Sequence, residues 1–336
     1  MKKIQSQPIA VLGAGSWGTA LALHLSRQKQ TVHLWEYNKD QAKTLQKERV
    51  NTRFMPGFHF PDTLQVFADL KEAVAGLQDI LIAVPSKAFY EVLQKLKPLL
   101  SSSARILWAT KGLDEKNCQL LHEVALSVLG KERAYAVLSG PSFAQEVAAG
   151  MPTAVVIASE DDAFIEDLLT RFNSNIFRVY SSRDMVGVEV GGVVKNVLAI
   201  ATGISDGMKF GTNARSALIT RGLAEMMRFG IALGGQAETF TGLSGVGDLV
   251  LTCTDNQSRN RRFGLALGEG KDLIEAEREI GQVVEGKRNA ELIVRLAKNH
   301  QVEMPITEGI WEIFSGKITA VEAMRQLLAR EPKTEY

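Results

Sequence analysis

Short apolar runs alternate with helix-like segments through the first half of the chain. Strands are predicted at IAVLG (9–13), TVHLW (31–35), DILIAV (79–84), ARILWAT (104–110), AYAVLS (134–139), TAVVIAS (153–159) and IFRVY (176–180). Helices are predicted between them at 16–28, 38–48, 86–97 and 116–129. Because the strand runs are apolar throughout rather than alternating, they indicate a parallel sheet covered on both faces. This rhythm predicts a doubly wound α/β, Rossmann-like domain.

The pattern changes near residue 184. Apolar residues then recur with the period of a helix at 185–206, 214–234, 258–268, 272–280, 285–299 and 319–329. Glycine-rich breaks separate some of these segments, and no strand-like alternation is obvious. We therefore predict an α/β N-terminal domain over residues 1–185 and an all-α C-terminal domain over residues 186–336.

Composition narrows the class of protein. The 336 residues include 39 basic and 38 acidic ones, so no net field favours nucleic acid or an anionic membrane. The start MKK and the apolar run after it are similar to a signal peptide, but no small-residue cleavage site follows. No apolar run of about 18 or more residues occurs elsewhere. Cys118 and Cys253 lie far apart and indicate reduced thiols. We expect a cytoplasmic enzyme or binding protein with no membrane span.

A glycine-rich loop supplies the first candidate chemistry. Gly13, Gly15 and Gly18 form a G-x-G-x-x-G between the first predicted strand and the first predicted helix. The first glycine permits a tight turn, the second lets a pyrophosphate approach the backbone, and the third lets the helix pack on the sheet. The helix N-terminus then offers N–H groups to phosphates. An ordinary glycine turn is the weaker interpretation, and we predict dinucleotide binding.

The end of the second strand bears on the choice of dinucleotide. Glu36 follows Gly18 by 18 residues, where an acidic side chain accepts the ribose hydroxyls of NAD and repels the 2′-phosphate of NADP. Lys39 nearby can counter that repulsion, and Glu36 can equally be a solvated strand end. The choice between NADH and NADPH therefore stays open, with a slight preference for NADH.

Polar side chains follow several of the predicted strands or begin helices. Lys111 lies at a strand's carboxyl edge, where it can meet an anion, although a solvated loop lysine is an equal interpretation. Gly140 begins a turn after the next strand, and Ser142 can cap a helix or hold a substrate, with capping favoured. Asp248 can be a simple N-cap. The run 258–263 is by default a surface charge cluster, yet Ser, Arg and Asn at a helix start also suit a phosphate.

Acid–base chemistry points to a lysine. No histidine falls in a strong site context, and no metal-ligand spacing occurs, so we expect no metal. In GGVVKNVLAI (191–200), Lys195 and Asn196 stand among eight glycine or aliphatic residues. A desolvated lysine can exchange a proton with an alkoxide. On a helix, Gly191 and Gly192 lie one turn below Lys195, which indicates that something approaches that face closely.

Seven segments together resemble one family, the NAD(P)-dependent glycerol-3-phosphate dehydrogenases of the bacterial type. They are GAGSWGTA, WATKGL, SGPSFAQEV, GGVVKNV, GLSGVGDLVLTCT, SRNRRFG and GQVVEG, in the family's order between residues 13 and 286. The resemblance implies reversible reduction of dihydroxyacetone phosphate to sn-glycerol 3-phosphate with NADH or NADPH, feeding phospholipid synthesis. It also implies a dinucleotide-binding first domain and a substrate-binding helical domain. Members of the family often form homodimers, although no surface stripe in the sequence indicates one.

The resemblance also implies the site residues. Lys195 matches the proton donor and acceptor, and Asp248 a substrate-site residue beside it. The implied substrate contacts are Lys111, Gly140, Ser142, Lys195, Asp248, Ser258, Arg259 and Asn260. The implied cofactor contacts are Gly13, Gly15, Ser16, Trp17, Gly18, Tyr37, Lys111, Ala144, Arg259, Val283 and Glu285. At Tyr37 the family often carries histidine or arginine, which suit a 2′-phosphate, so tyrosine here leaves the cofactor preference open.

Two other interpretations are weighed against this one. A β-hydroxyacid dehydrogenase shares both halves and a catalytic lysine, but its motif places the asparagine further along, whereas Asn196 follows Lys195 directly. A catalytically dead dinucleotide sensor is the second. Retention of Lys195, Asp248 and the S-R-N segment argues against it.

Overall fold

The computed structural model of the protein describes residues 7–329. Residues 1–6 and 330–336, which the expected domains include, lie outside the described part. The chain forms two compact units that divide between Glu189 and Val190, called unit 1 and unit 2 below.

Unit 1 is built on an eight-stranded sheet with the order β10-β9-β8-β7-β6-β1-β2-β5. A separate two-stranded antiparallel sheet pairs β3 with β4. The strands are β1 (Ile9–Leu12), β2 (Val32–Trp35), β3 (Val50–Asn51), β4 (Met55–His59), β5 (Leu64–Phe67), β6 (Asp79–Ile82), β7 (Arg105–Trp108), β8 (Tyr135–Ser139), β9 (Thr153–Ser159) and β10 (Phe177–Ser182).

All seven predicted strands of the large sheet are present, but the expectation of a parallel sheet is wrong at one edge. β8 and β9 pair antiparallel, and β10 then runs parallel to β9. The physical reason lies in the connection between β8 and β9. Its helix spans six residues, Ala144–Ala149, or about 9 Å, which is too short to carry the chain back along the sheet. The edge strand β5 and the β3–β4 pair were not predicted.

The helices of unit 1 cover both faces of the sheet, as expected for continuously apolar strands. In β1, Ile9 and Val11 face one core cluster and Ala10 and Leu12 face the other. The helices are α1 (Ser16–Arg27), α2 (Lys39–Glu48), α3 (Leu70–Val74), α4 (Ser86–Leu96), α5 (Leu121–Leu129), α6 (Ala144–Ala149) and α7 (Asp162–Phe172). α5 begins five residues later than predicted, because Cys118 takes a left-handed backbone conformation (φ 55°) that a helix excludes.

Unit 2 is helical, and no strand occurs in its described residues, 190–329, which confirms the predicted all-α half. Its helices are α8 (Met185–Gly207, which begins in unit 1), α9 (Gly211–Ala232), α10 (Ala237–Phe240), α11 (Asp248–Thr254), α12 (Arg259–Gly268), α13 (Leu273–Ile280), α14 (Glu285–Asn299), α15 (Pro305–Phe314) and α16 (Ala320–Leu328). A π-helical turn, Leu243–Gly247, leads directly into α11. Within the described residues α8 is the helix with the length and composition of a membrane span, but 89% of its apolar window is buried inside the protein.

Close backbone contact joins α8 to α12. A Cβ on Gly203 would stand 2.2 Å from the carbonyl oxygen of Arg261, and a Cβ on Gly264 would stand 2.1 Å from that of Ile200. No side chain fits at such distances, so glycine on each helix lets the two backbones touch. This contact sets the separation of the two helices that carry Lys195 and the S-R-N segment.

Two buried carboxylates hold helix ends in place. In unit 1, Glu189 accepts hydrogen bonds from the Trp108 indole at 2.9 Å and from the His122 backbone N–H at 3.1 Å, near the start of α5. It also pairs with the His122 imidazole Nδ1 at 2.6 Å. In unit 2, Glu225 accepts from the backbone N–H groups of Ile306 (2.5 Å) and Thr307 (3.3 Å) at the start of α15. Both carboxylates therefore accept hydrogen bonds from backbone N–H groups that a helix leaves unpaired at its N-terminus. Glu189 also satisfies the buried N–H of the Trp108 indole.

Candidate active site

The glycine loop lies where the order of the sheet reverses. β1 pairs with β2 on one side and with β6 on the other, which is the switch point at which doubly wound sheets bind ligands. Gly13 has φ 113°, and a Cβ there would stand 3.0 Å from the Ala83 carbonyl. A Cβ on Gly18 would stand 1.9 Å from the Gly13 carbonyl, whereas one on Gly15 would meet nothing within 4 Å. The first and third glycines therefore serve packing, and Gly15 leaves open space above the loop.

Ser16 and Trp17 begin α1 directly after this open space. Gly15 is the N-cap and supplies no side-chain hydrogen bond, so the first N–H groups of the helix have no such cap. Trp17 packs against the core of unit 1, and its Nε1 is buried without a hydrogen-bond partner among residues 7–329. The Trp17 Nε1 donor and the uncapped N–H groups of α1, beside the open space at Gly15, suit the phosphates of a dinucleotide.

At the end of β2, Glu36 is only 6% exposed, so the interpretation as a solvated strand end is wrong. Its carboxylate accepts the Asn38 N–H at 2.9 Å, in the turn that starts α2, and burial raises the pKa of the carboxyl. Tyr37 is 78% exposed, and Lys39 is also exposed. The Glu36 carboxylate thus already accepts a backbone hydrogen bond, while the side chains of Tyr37 and Lys39 are exposed to solvent beside it.

The carboxyl ends of β7 and β8 bring three candidate residues together. The Lys111 ammonium lies 3.5 Å from the Gly140 carbonyl, and the Ser142 hydroxyl donates to the same carbonyl at 3.1 Å. α6 begins at Ala144 with Phe143 as N-cap and no side-chain cap bond, so the capping interpretation of Ser142 is wrong. Gly140 has φ 139°, and a Cβ there would stand 3.0 Å from the Val155 Cα. The turn therefore requires glycine.

Lys195 lies inside unit 2 in a polar cluster. Its side chain is 9% exposed, and its ammonium donates to the Asp248 carboxylate at 2.5 Å and to the Thr252 hydroxyl at 3.0 Å. Thr252 in turn donates to the Asp248 carbonyl at 2.6 Å. Asp248 is 1% exposed and is the first residue of α11, but its carboxylate meets Lys195 rather than capping the helix. The expected Lys195–Asp248 proximity is confirmed, and the N-cap interpretation is wrong.

The expected close approach to α8 is present at Gly191, and it is made by backbone. A Cβ there would stand 2.2 Å from the Ser244 carbonyl oxygen, so the group that approaches this face of α8 is the backbone of the π-helical turn. Ser244 precedes Asp248 by four residues. The close approach therefore seats the segment that carries Asp248 against the helix that carries Lys195.

The S-R-N segment begins α12 as predicted. Ser258 is the N-cap and accepts the Arg261 N–H at 3.2 Å. Arg259 is half-buried and donates to the Gln282 side chain at 2.9 Å, and Asn260 donates to the Asn196 side chain at 3.0 Å. The default interpretation as a surface charge cluster fails because one of the three arginines is buried and another partly so.

The remaining candidates lie at the start of α14. The Gly286 N–H donates to the Asn260 side-chain oxygen at 2.9 Å, which joins this helix to α12. Glu285 is the first residue of α14, and Val283 is 54% exposed just before it. The unit 2 candidates thus meet through Asn260, whereas the unit 1 candidates gather at the carboxyl edge of the sheet.

Thr252 and Asn196 are polar members of the unit 2 cluster that sequence reasoning did not place in the site. Thr252 follows Asp248 by four residues, so on any helix it shares that residue's face, and this spacing was the available signal. Asn196 follows Lys195 directly. Its partner is on another helix, so no local pattern indicates the contact.

A buried ammonium held by a carboxylate can give a proton to an oxyanion, and the glycine loop suits a nicotinamide dinucleotide. Among residues 7–329 no cluster of three histidine, cysteine, aspartate or glutamate side chains can hold a metal ion. The fold and these groups define a class, the nicotinamide-dependent dehydrogenases with a Rossmann-like domain and a helical domain.

The chain belongs to the NAD-dependent glycerol-3-phosphate dehydrogenase family. The N-terminal model of that family matches residues 8–165, and its C-terminal model matches residues 184–325. The chain is 55% identical to the glycerol-3-phosphate dehydrogenase [NAD(P)+] of Coxiella burnetii (strain RSA 331 / Henzerling II) over 98% of each chain. It is 54% identical to that of Photobacterium profundum over 97% of each. The crystal structure of the Coxiella burnetii glycerol-3-phosphate dehydrogenase superposes with a TM-score of 0.94, covering 97% of this chain and 99% of the other at 55% identity.

Proposed function

We propose that the protein catalyses the reversible reduction of dihydroxyacetone phosphate to sn-glycerol 3-phosphate with NADH or NADPH, and that Lys195 is the proton donor and acceptor. The observation that carries the proposal is the buried Lys195 ammonium, 2.5 Å from the Asp248 carboxylate, in a chain that matches its relatives over nearly their full length. The nearly full-length match to relatives named glycerol-3-phosphate dehydrogenase favours this function over the β-hydroxyacid and sensor interpretations.

In this proposal the Lys195 ammonium stabilises the negative charge that develops on the carbonyl oxygen and gives it a proton. The Asp248 carboxylate offsets the buried positive charge, because an unpaired ammonium is costly at this depth. The hydrogen bonds to Asp248 and Thr252 also restrict the lysine side chain and hold its ammonium in one place. A bound reduced nicotinamide supplies the hydride for the carbonyl carbon.

The phosphate is held, we propose, at the start of α12. Arg259 can grip a dianion with two N–H groups, and the helix N-terminus adds its dipole. Binding energy from the phosphate then positions the distant carbonyl against Lys195. In unit 1, Gly13, Gly15, Ser16, Trp17 and Gly18 would hold the pyrophosphate, with Tyr37, Lys111 and Ala144 as further cofactor contacts. In unit 2, the proposed cofactor contacts are Arg259, Val283 and Glu285. Gly140, Ser142, Ser258 and Asn260 complete the proposed substrate site.

Lys195→Ala tests the proton donor. We expect turnover with dihydroxyacetone phosphate to fall by about 10²–10⁴-fold, while the dissociation constant of NADH, measured by fluorescence titration, stays unchanged. Lys95→Met, at an exposed lysine of α4, is the matched control and should keep parental rates. Near-normal turnover in Lys195→Ala would remove Lys195 from the mechanism.

Substrate and phosphate site are tested in the same assay. NADH and NADPH oxidation should be fast with dihydroxyacetone phosphate and slow with 2-keto and 3-keto acids, and the opposite order would replace this function with that of a hydroxyacid dehydrogenase. Arg259→Ala should mainly raise KM for dihydroxyacetone phosphate. An unchanged KM would move the phosphate site elsewhere.

We further propose that residues 1–185 bind the dinucleotide and residues 186–336 the substrate, and that the protein acts in the cytoplasm, supplies phospholipid synthesis and forms a homodimer. The two family models, which match residues 8–165 and 184–325 separately, support the division into two domains. The other three proposals follow from the family resemblance. Sedimentation of the purified protein tests the homodimer, and a monomer across the micromolar range would contradict it.

A further inference from the structure

Arg261 is a buried arginine that bonds to three separate segments of unit 2. Its side chain is 8% exposed. Nε donates to the Cys253 carbonyl at 3.0 Å, and Nη2 donates to the Asp206 carboxylate at 2.5 Å. Nη1 donates to the side-chain oxygen of Asn256. The planar guanidinium presents these donors in a fixed fork, so the three acceptors are held in one geometry.

Two of the acceptors lie beside candidate site residues. Cys253 directly follows Thr252 near the end of α11, where helix carbonyls lack an intrahelical partner. Asn256 lies in the connection from α11 to α12, two residues before Ser258. Arg261 therefore fixes both the end of the helix that begins at Asp248 and the turn that starts the S-R-N segment.

The third acceptor lies on the lysine helix. Asp206 follows Lys195 by eleven residues on α8, which is about three turns, so both side chains project from the same side of that helix. Through Asp206, Arg261 ties α8 to the two segments that carry Asp248 and Arg259.

We infer that Arg261 is a positioning residue for the proposed reduction. It fixes the relative positions of α8, α11 and α12, so that Lys195, Asp248 and the phosphate-binding start of α12 can act on one substrate. This inference rests on the proposed function. The hydrogen bonds of Arg261 go to Cys253, Asn256 and Asp206. Its effect on catalysis passes through the backbone at Cys253 and through the connection at Asn256.

Arg261→Lys separates positioning from charge. Lysine keeps the positive charge near Asp206, but a single ammonium cannot make the directed bonds to Cys253 and Asn256 as well. Because displacement of a site by about 1 Å can cost about 10²-fold in rate, we expect kcat/KM for dihydroxyacetone phosphate to fall by about 10²-fold, through both a lower kcat and a higher KM. The dissociation constant of NADH, which belongs to the glycine loop in this proposal, should change by less than about two-fold.

Arg215→Lys is the matched control. Arg215 donates to the same Asp206 carboxylate at 2.9 Å, but its side chain is 26% exposed, and it belongs to α9. Both kinetic constants of this variant should stay within about two-fold of the parent. Equal losses in Arg261→Lys and Arg215→Lys would assign the effect to the charge balance of Asp206 and overturn the inference. Parental kcat and KM in Arg261→Lys would also overturn it.

Asn256→Ala covers the case in which Arg261→Lys does not fold. Asn256 is exposed, so its removal spares the core, yet it deletes one of the three acceptors. KM for dihydroxyacetone phosphate should rise about three-fold or more, and an unchanged KM would overturn the inference. Assay of the parent protein alongside separates failure of the proposed function from failure of the role of Arg261. A parent inactive with dihydroxyacetone phosphate overturns the proposed function, whereas an active parent with unaffected variants overturns the role of Arg261 alone.

Discussion

Gly191→Ala isolates the seating of Asp248 against Lys195 without touching either side chain. The added Cβ would stand 2.2 Å from the Ser244 carbonyl oxygen, whereas ordinary contact begins at 3.4 Å. The π-helical turn must therefore retreat by about 1.2 Å, the difference between these distances. Because Asp248 follows in the same continuous segment, its carboxylate moves away from the Lys195 ammonium, and the bond of 2.5 Å is stretched beyond hydrogen-bonding range.

The effects of this substitution on stability and on activity differ in size. Alanine in a helix interior is favoured over glycine by about 1 kcal/mol. Overpacking a tight contact costs about 1–3 kcal/mol, so the free energy of unfolding should fall by no more than about 2 kcal/mol. A displacement of about 1 Å at a catalytic group lowers the rate by about 10²-fold. We therefore expect a folded protein with a large loss of kcat.

Steady-state kinetics with dihydroxyacetone phosphate and urea unfolding, done on the same preparation, measure both effects. Gly222→Ala is the control, since its Cβ would stand 2.8 Å from the Leu198 side chain, also on α8, which can turn aside. That variant should keep kcat within about two-fold of the parent. If Gly191→Ala also keeps parental kcat, the contact with Ser244 does not set the position of Asp248.

Three further substitutions test the stability of the two units. Gly309→Ala in α15 should raise the free energy of unfolding by about 1 kcal/mol in urea titrations, because within the described part of the chain its Cβ would meet only the Ala323 Cβ, at an ordinary 3.8 Å. Burial raises the pKa of Glu225 to about 7, above its unfolded value, so its contribution to stability is lost as pH rises from about 4.5 through 7. Relative to Glu225→Gln, the parent should lose stability over that range in thermal unfolding scans. Burial acts to lower the pKa of His122, but the hydrogen bond and charge of Glu189 outweigh it and raise the pKa. The parent's advantage over Glu189→Gln should therefore be complete below the usual pKa of histidine and be lost as pH rises through the raised value, as urea unfolding at a series of pH values will measure.

Contrary results would identify which contact has been misjudged. Destabilisation by Gly309→Ala would mean that α15 and α16 cannot admit a methyl group. A stability difference for Glu225→Gln that is flat with pH would mean that the carboxylate is ionised throughout. A Glu189→Gln difference that grows with rising pH would reverse the sign argued for His122.

The strands of unit 1 could be predicted because burial on both faces leaves a continuous apolar run, as in the fully buried DILI of β6. The edge strand β5 escaped, since its burial alternates over four residues and LQVF contains a glutamine. The antiparallel direction of β9 was not predicted for a different reason. Direction in a sheet depends on the length of the preceding helix, and a six-residue helix leaves a weak periodic signal.

The candidate site was predictable where its chemistry lies in one short segment. The glycine loop is such a segment, because its spacing suits one task. Asp248 and the start of α12 became candidates through the family resemblance, since their local patterns alone favoured an N-cap and a surface charge cluster. Thr252 and Asn260 show the opposite case, because their hydrogen bonds join residues 57 and 64 positions apart. Propensity and periodicity describe neighbours along the chain and carry no information on such pairs.

Glycines at helix contacts explain why the segments of the unit 2 cluster lie close to α8. A Cβ on Gly191 would meet the backbone before Asp248, and one on Gly286 would stand 2.6 Å from the Asn196 carbonyl. Each contact lies within one or two turns of Lys195, and each brings a different segment to α8. A side chain at Gly191 would push the segment that carries Asp248 and Thr252 away from α8, and so weaken their 2.5–3.0 Å hydrogen bonds with the lysine. The close approach expected on the Lys195 face of α8 is therefore a contact between backbones, and the geometry of the site depends on residues that have no side chain.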